Sequence, residues 1–212
     1  MAYYTGVGSR ETPPEVLSVM EDAAYRLARI GLTLRSGKAG GADAAFQLGV
    51  QKYYESLDNE VREVYCSRLA EIYIPWDGFG TPGLEDFWDL SLKYIDLTLP
   101  DQIDARNTLL SEIHPNFEAL KNKRGAFALH SRNMHQVLGV NILEPRPSSF
   151  CLYYAGEDKN GNPKGGTASA VNLSKRYGVK TLNLNTPERL ELLEKFLTGL
   201  EVKRGIKVQR QD

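Results

Sequence analysis

The spacing of apolar residues changes period repeatedly along this chain, and each change marks an element. Five short β-prone runs stand out: Tyr3-Tyr4-Thr5, Leu32-Thr33-Leu34, Ala70-Glu71-Ile72-Tyr73-Ile74-Pro75, Ser149-Phe150-Cys151-Leu152-Tyr153-Tyr154 and Val179-Lys180-Thr181-Leu182-Asn183-Leu184. Between them the apolar period lengthens to that of an amphipathic helix. Val16, Val19, Met20, Ala23, Ala24, Leu27 and Ile30 form one such stripe, opened by Thr12-Pro13-Pro14-Glu15 and stopped at Gly31. Further helices are predicted from Ala44 to about Ser56, over the charged stretch 57–69, and over 167–177 and 187–200. From Thr81 to Leu143 the strands stop. Phe87, Leu90, Leu92 and Ile95, then Leu109, Leu110 and Ile113, then Phe127, Leu129, Met134, Val137 and Leu138 keep helical spacing until Pro145-Arg146-Pro147. Alternating strands and helices predict an α/β fold, a mostly parallel sheet with helices on both faces and a helical insert, about 81–143, after the third strand. One domain is expected over 1–200, followed by a polar, fraying tail at 201–212.

Three glycine-rich segments follow strands. They are Gly6-Val7-Gly8-Ser9-Arg10 after the first, Ser36-Gly37-Lys38-Ala39-Gly40-Gly41-Ala42-Asp43 after the second, and Gly165-Gly166-Thr167 after the fourth. A strand that breaks into glycines and restarts as a helix exposes backbone N–H groups at a helix N-terminus, where the dipole favours an anion such as phosphate. Each loop alone is equally readable as a tight turn without a ligand. All three are expected at the carboxyl edge of the sheet, where ligands of parallel sheets gather, and that shared edge favours a common binding site.

Composition narrows the classes of function. The 212 residues are 42% hydrophobic and 25% charged, with a formal net charge of -1, so no global basic field is present to hold a polyanion. Cys66 and Cys151 are far apart among apolar neighbours and read as free thiols of a reducing compartment. No signal-peptide pattern opens the chain and no run reaches membrane-spanning length, so a cytoplasmic protein is expected.

The loops also carry candidate chemistry. Gly6-x-Gly8 resembles the start of a dinucleotide fingerprint, but Glu11 stands at the third glycine and Arg35, not an acid, ends the second strand, which argues against a dehydrogenase. Ser9 and Arg10 suit a phosphate, a guanidinium giving paired charge-assisted bonds, although Arg10 is also readable as a surface residue capped by Glu11. Gly165, Gly166 and Thr167 offer two amides and a hydroxyl, or a simple N-cap. Asp43 reads as a ribose or amine partner or as a helix cap, and Trp76 as a base-stacking ring or a packed one. His114, His130 and His135 have poor spacing for a shared metal and read as structural or surface histidines. Neither a cofactor nor a metal is expected.

Together these loops resemble the SLOG superfamily, which takes in DprA/Smf DNA-processing proteins, LOG-type phosphoribohydrolases and nucleotide-sensing domains of antiviral systems. The resemblance covers about 3–56 and 148–200 and is of the phage-type, DprA-like kind. It implies a Rossmann-like fold that binds nucleotides or nucleotide-derived ligands, and pairing of two chains. Leu129-His130-Ser131-Arg132-Asn133 resembles the Met-His-Glu-Arg-Lys pattern of LOG enzymes, which aligns Arg132 with the family's arginine and implies Arg132 and Asn133 at the ligand. Pro163-Lys164-Gly165-Gly166-Thr167 resembles their phosphate loop, but Ser169 and Ala170 stand where that loop has glutamates.

Three functions are therefore in view. The first is binding of a phosphate- and ribose-containing small molecule, as sensor or sequestering protein, by Gly6, Gly8, Ser9, Arg10, Arg35, Ser36, Gly37, Lys38, Gly40, Gly41, Asp43, Trp76, Arg132, Asn133, Gly165, Gly166 and Thr167. The second is N-glycosidic hydrolysis of a nucleotide, with Arg132 on the phosphate and Glu157 or Asp158 supplying the missing acid. The third is DprA-like binding of single-stranded DNA, against which the balanced charge argues.

Overall fold

A computed structural model describes residues 2–206. The strands are β1 (Ala2–Gly8), β2 (Leu32–Ser36), β3 (Ala70–Ile74), β4 (Asp89–Ser91), β5 (Phe150–Tyr154) and β6 (Lys180–Asn183). The helices are α1 (Pro14–Arg29), α2 (Ala42–Glu55), α3 (Asn59–Leu69), α4 (Leu92–Thr98), α5 (Gln102–Ile113), α6 (Phe117–Lys121), α7 (Arg124–Leu138), α8 (Thr167–Arg176) and α9 (Pro187–Lys203). The strands make one six-stranded sheet in the order β4-β3-β2-β1-β5-β6, every neighbour pair parallel. This is the α/β, Rossmann-like arrangement expected from the alternating pattern.

Alternate residues of the strands feed two cores. Tyr4, Leu34, Ile72 and Leu152 face one side and pack with Met20, Leu27, Phe46 and Leu193 from α1, α2 and α9. Val7, Cys151 and Tyr153 face the other and pack with Leu110, Met134, Leu138 and Leu173 from α5, α7 and α8. Burial on both faces is what a parallel sheet requires of its central strands.

The structure departs from the sequence reading in two places. Within the segment expected to lack strands, Asp89–Ser91 pairs with β3, Ile72 opposite Asp89 and Ile74 opposite Ser91. Three residues, two of them polar, carry too little pattern to read as a strand, and the pairing is made by the neighbouring edge. The polar tail was expected from residue 201, yet α9 continues to Lys203. Glu201 is buried there, taking Arg26 at 2.8 Å and Arg29 at 2.5 Å from α1. The remainder of that expected tail, 207–212, lies outside the described residues.

The chain order of the strands locates the cleft. From β1 the chain steps outward through β2, β3 and β4, then returns to lay β5 on the other side of β1. Connections leave β1 and β5 in opposite directions, so a crevice opens at the carboxyl ends of these two strands, the usual ligand position in such sheets.

Candidate functional site

A cavity of about 430 Å³ occupies that crevice. Its walls come from the loop after β1, the loop before α8, and one face of α7. Of the candidates, Gly8, Ser9, Arg10, Asp43, Arg132, Asn133, Gly165, Gly166 and Thr167 line it. Thus Gly8 and Thr167, 159 positions apart in sequence, meet on one surface.

Arg132 is the centre of charge. It sits on α7 and is 5% exposed, and its Nη1 donates to Asp43 Oδ2 at 3.1 Å. With the Gln136 amide oriented to satisfy its neighbours, its oxygen also accepts from Arg132 Nη1 at 2.7 Å and from Gly37 N at 3.0 Å. Burial pushes the Asp43 carboxyl up and the Arg132 guanidinium down from their ordinary values, and each group's charge partly offsets the shift of the other. The guanidinium is only half used. Nε is buried without a partner, and Nη2 meets no protein acceptor among the described residues.

Gly37 makes room for this arrangement. A Cβ there would fall 0.9 Å from Arg132 Nη1, so no other residue fits beside the guanidinium. The rest of the loop after β2 is tied to β1 and the loop that follows it. Asp43 Oδ1 accepts from Gly8 N at 3.2 Å, and its carboxylate also takes the Ala39 amide. Ala42 N donates to Ser9 O at 3.2 Å. Asp43 therefore caps no amide of α2: from the first turn of that helix it ties the loop to β1 and serves as the counter-ion of Arg132, a partner the sequence reading did not name.

The loop before α8 is arranged otherwise. Gly165 takes a φ of +75° and turns the chain into the helix. Among the described residues, the amides of Gly165, Gly166 and Thr167 donate to no protein acceptor, and the helix has no side-chain cap. Asn133 Nδ2 donates to Gly166 O at 3.0 Å and so fixes this turn against α7. Open amides at the start of a ten-residue helix carry partial positive charge toward the cavity that Arg132 also faces.

The remaining candidates lie elsewhere. Gly6 is inside β1 beneath Phe46, and Ser36 donates through Oγ to Gly6 O at 2.6 Å, so both serve packing. Arg35 lies away from the cavity, beside Gly139 at the C-terminal end of α7, where Nε donates to Glu71 at 2.7 Å, Nη1 donates to Arg146 O at 2.5 Å, and the guanidinium covers the Tyr3 ring. Lys38, at φ +60°, is buried and pairs with Asp86 and with Asp89 at 2.8 Å, which turns its ammonium away from the cavity. Gly40 and Gly41 form the turn into α2, off the cavity wall. Trp76 packs edge-on against Phe79 at 5.1 Å and is half-exposed. Glu157, the candidate acid, is also off the cavity wall, because Asn183 Nδ2 at 2.9 Å and Arg189 Nη1 at 3.0 Å hold it over β6. Asn183 and Arg189 hold its carboxyl below the usual range. Asp158 closes its own loop through Asn160 and Asn162.

Among the lining residues that were not sequence candidates are two polar side chains of α7, His130 and Gln136. Their signal was nonetheless present. In α7, Ser131, Arg132, Asn133, His135 and Gln136 are all buried beside Met134, Val137 and Leu138, so the last turns have polar residues without a solvent face. Buried polar side chains need partners, and a helix carrying five of them marks an organised polar interior.

Among the described residues, no cluster of His, Cys, Asp and Glu is placed to hold a metal, and no helix is long and apolar enough to cross a membrane. No family model and no curated protein matches the chain. Among solved structures, it is similar to DNA processing protein A from Helicobacter pylori, a protein with a single-stranded DNA binding mode. That similarity has 15% identity, covers 95% of this chain and 81% of the other, and gives a TM-score of 0.47. At that level the likeness is one of general outline.

Proposed function

We propose that the cavity binds the phosphate of a nucleotide or nucleotide-derived small molecule, and that this chain is a binding protein for such a ligand. One observation carries the proposal: a buried guanidinium with an unpartnered edge shares a cavity with three unpartnered helix-start amides. An unpaired guanidinium edge and open helix-start amides each favour an anion, and one phosphate in this cavity would meet both. Apolar wall residues Val7, Leu129 and Ala170 offer a surface for the nucleoside part, and a volume of about 430 Å³ suits a ligand of that size.

Binding is favoured over N-glycosidic hydrolysis by the placement of acids. The carboxylates on the cavity wall are Glu11, at the exposed rim, and Asp43, committed to Arg132 and two amides. Neither is a free acid for a leaving base.

Calorimetric titration of the full chain with nucleoside monophosphates and ADP-ribose tests the proposal. The comparison variant is Arg132→Lys, which keeps the charge beside Asp43 but loses the planar fork. Affinity is expected to fall about tenfold. A single-stranded oligonucleotide, the type of ligand bound by the Helicobacter pylori protein, serves as the control. Tight oligonucleotide binding with none of the small ligands would replace the proposal with nucleic-acid binding.

A further inference from the structure

The polar group on the cavity wall that phosphate binding leaves idle is the His130 imidazole. Its Nδ1 lies 2.6 Å from Ser169 Oγ, which projects from the first turn of α8. Ser169 is 2% exposed, and its hydroxyl has no other acceptor in reach among the described residues. A buried hydroxyl proton needs an acceptor, so Ser169 donates to His130 Nδ1. That bond fixes the tautomer, because a neutral ring accepting at Nδ1 carries its proton at Nε2. Nε2 makes no protein hydrogen bond among the described residues and is not enclosed, which leaves it available to the cavity. The ring stays neutral near neutral pH: burial, and then the neighbouring His114 and Arg132, push it down to about 4.

We infer that His130 is a specificity-determining residue, held by Ser169 in the tautomer that offers Nε2–H to an acceptor atom on the nucleoside part of the ligand. The inference rests on the phosphate reading above and divides the work of the site. Arg132 and the α8 amides hold the phosphate, whereas the Nε2–H of His130 is assigned to the nucleoside part.

Two measurements test it on the full chain. Long-range nitrogen–proton correlation spectra of the histidines report the tautomer directly. The expected result is a proton on Nε2 of His130 and, in Ser169→Ala, a mixture of tautomers. A proton on Nδ1 of wild type, or an unchanged spectrum in Ser169→Ala, overturns the inference. Titrations with adenosine 5′-monophosphate and with inorganic phosphate report the acceptor. His130→Phe is expected to weaken the nucleotide about tenfold while phosphate binding, which also checks folding, is unchanged. His130→Gln, which keeps a donor, is expected to recover part of the loss. Equal loss for both ligands, or no loss for the nucleotide, overturns the specificity role and leaves the phosphate reading standing. Wild type binding neither ligand overturns the phosphate reading, and the donor role of His130 falls with it.

Discussion

In the loop spanning 36–43, the Gly37 amide meets Gln136, the Ala39 amide meets Asp43 and the Ala42 amide meets Ser9, while the amides of Gly40 and Gly41 donate to no protein acceptor among the described residues and lie off the cavity wall. In the loop spanning 163–167, the amides of Gly165, Gly166 and Thr167 meet no protein acceptor among the described residues. Both segments are rich in glycine, follow a parallel strand and start a helix. The first spends its glycines on close packing, with Gly37 beneath a guanidinium. The second spends them on turning donors outward. What separates the two loops is therefore where their open amides lie: those of Gly165, Gly166 and Thr167 belong to the cavity wall and those of Gly40 and Gly41 do not. In the first turn of α2, Asp43 ties the loop to Gly8 and Arg132; α8 has Ser169 in the corresponding turn, and that side chain faces His130 instead.

The largest test of this contrast removes the carboxylate that closes the first loop. Asp43→Ala leaves Arg132 buried without its counter-ion and strips two amides of their acceptor, and a loss of about 3–5 kcal/mol in chemical denaturation is expected. A loss below about 1 kcal/mol would show that the pair is not the keystone of the loop. Next is Gly37→Ala, whose Cβ would occupy the position of Arg132 Nη1. It is expected to cost about 1–3 kcal/mol by overpacking and to reduce nucleotide affinity by displacing the guanidinium. Unchanged denaturation and affinity would break the argument for close approach.

Smaller effects belong to the open loop. Gly165→Ala has room for its methyl group, nothing lying within 4 Å, so its expected cost is backbone strain alone at φ +75°, about 1 kcal/mol. Its effect on phosphate affinity should exceed its effect on stability, and the reverse ranking would contradict an anion at those amides. The smallest effect at neutral pH comes from His130 and His135, both pushed by burial from an ordinary 6.5 down to about 4. Depressed histidine values mean that the unfolded chain takes up protons first. Their contribution is thus complete above about pH 6.5 and lost as pH falls toward 4. Denaturation midpoints at pH 7, 5.5 and 4.5 should fall in that order, and a flat series would show that the rings are not buried neutral.

Much of the fold was legible because two periods, one for strands and one for helices, alternate cleanly from Tyr3 to Leu200. The edge strand at Asp89–Ser91 was not, since its pairing comes from β3 and not from its own pattern. The site was legible in part. Gly8, Ser9, Arg10 and Gly165-Gly166-Thr167 carry local signals of a turn into a helix, and those signals do not depend on distant partners. Lys38 and Arg35 carry charge beside glycines, but the acids that capture them, Asp86, Asp89 and Glu71, lie 36 to 51 positions further on. Nothing in a local pattern announces such a capture. His130 was read as a bland histidine because its meaning comes from Ser169 on another helix.

The most direct measurement follows the backbone amides of the two loops as a nucleoside monophosphate is titrated into the nitrogen-labelled chain. An anion held by α8 and Arg132 predicts saturating shifts that are largest at Gly165, Gly166, Thr167 and the Arg132 Nε–H. Largest shifts within 36–41, or no shift at any loop amide up to millimolar ligand, would contradict it.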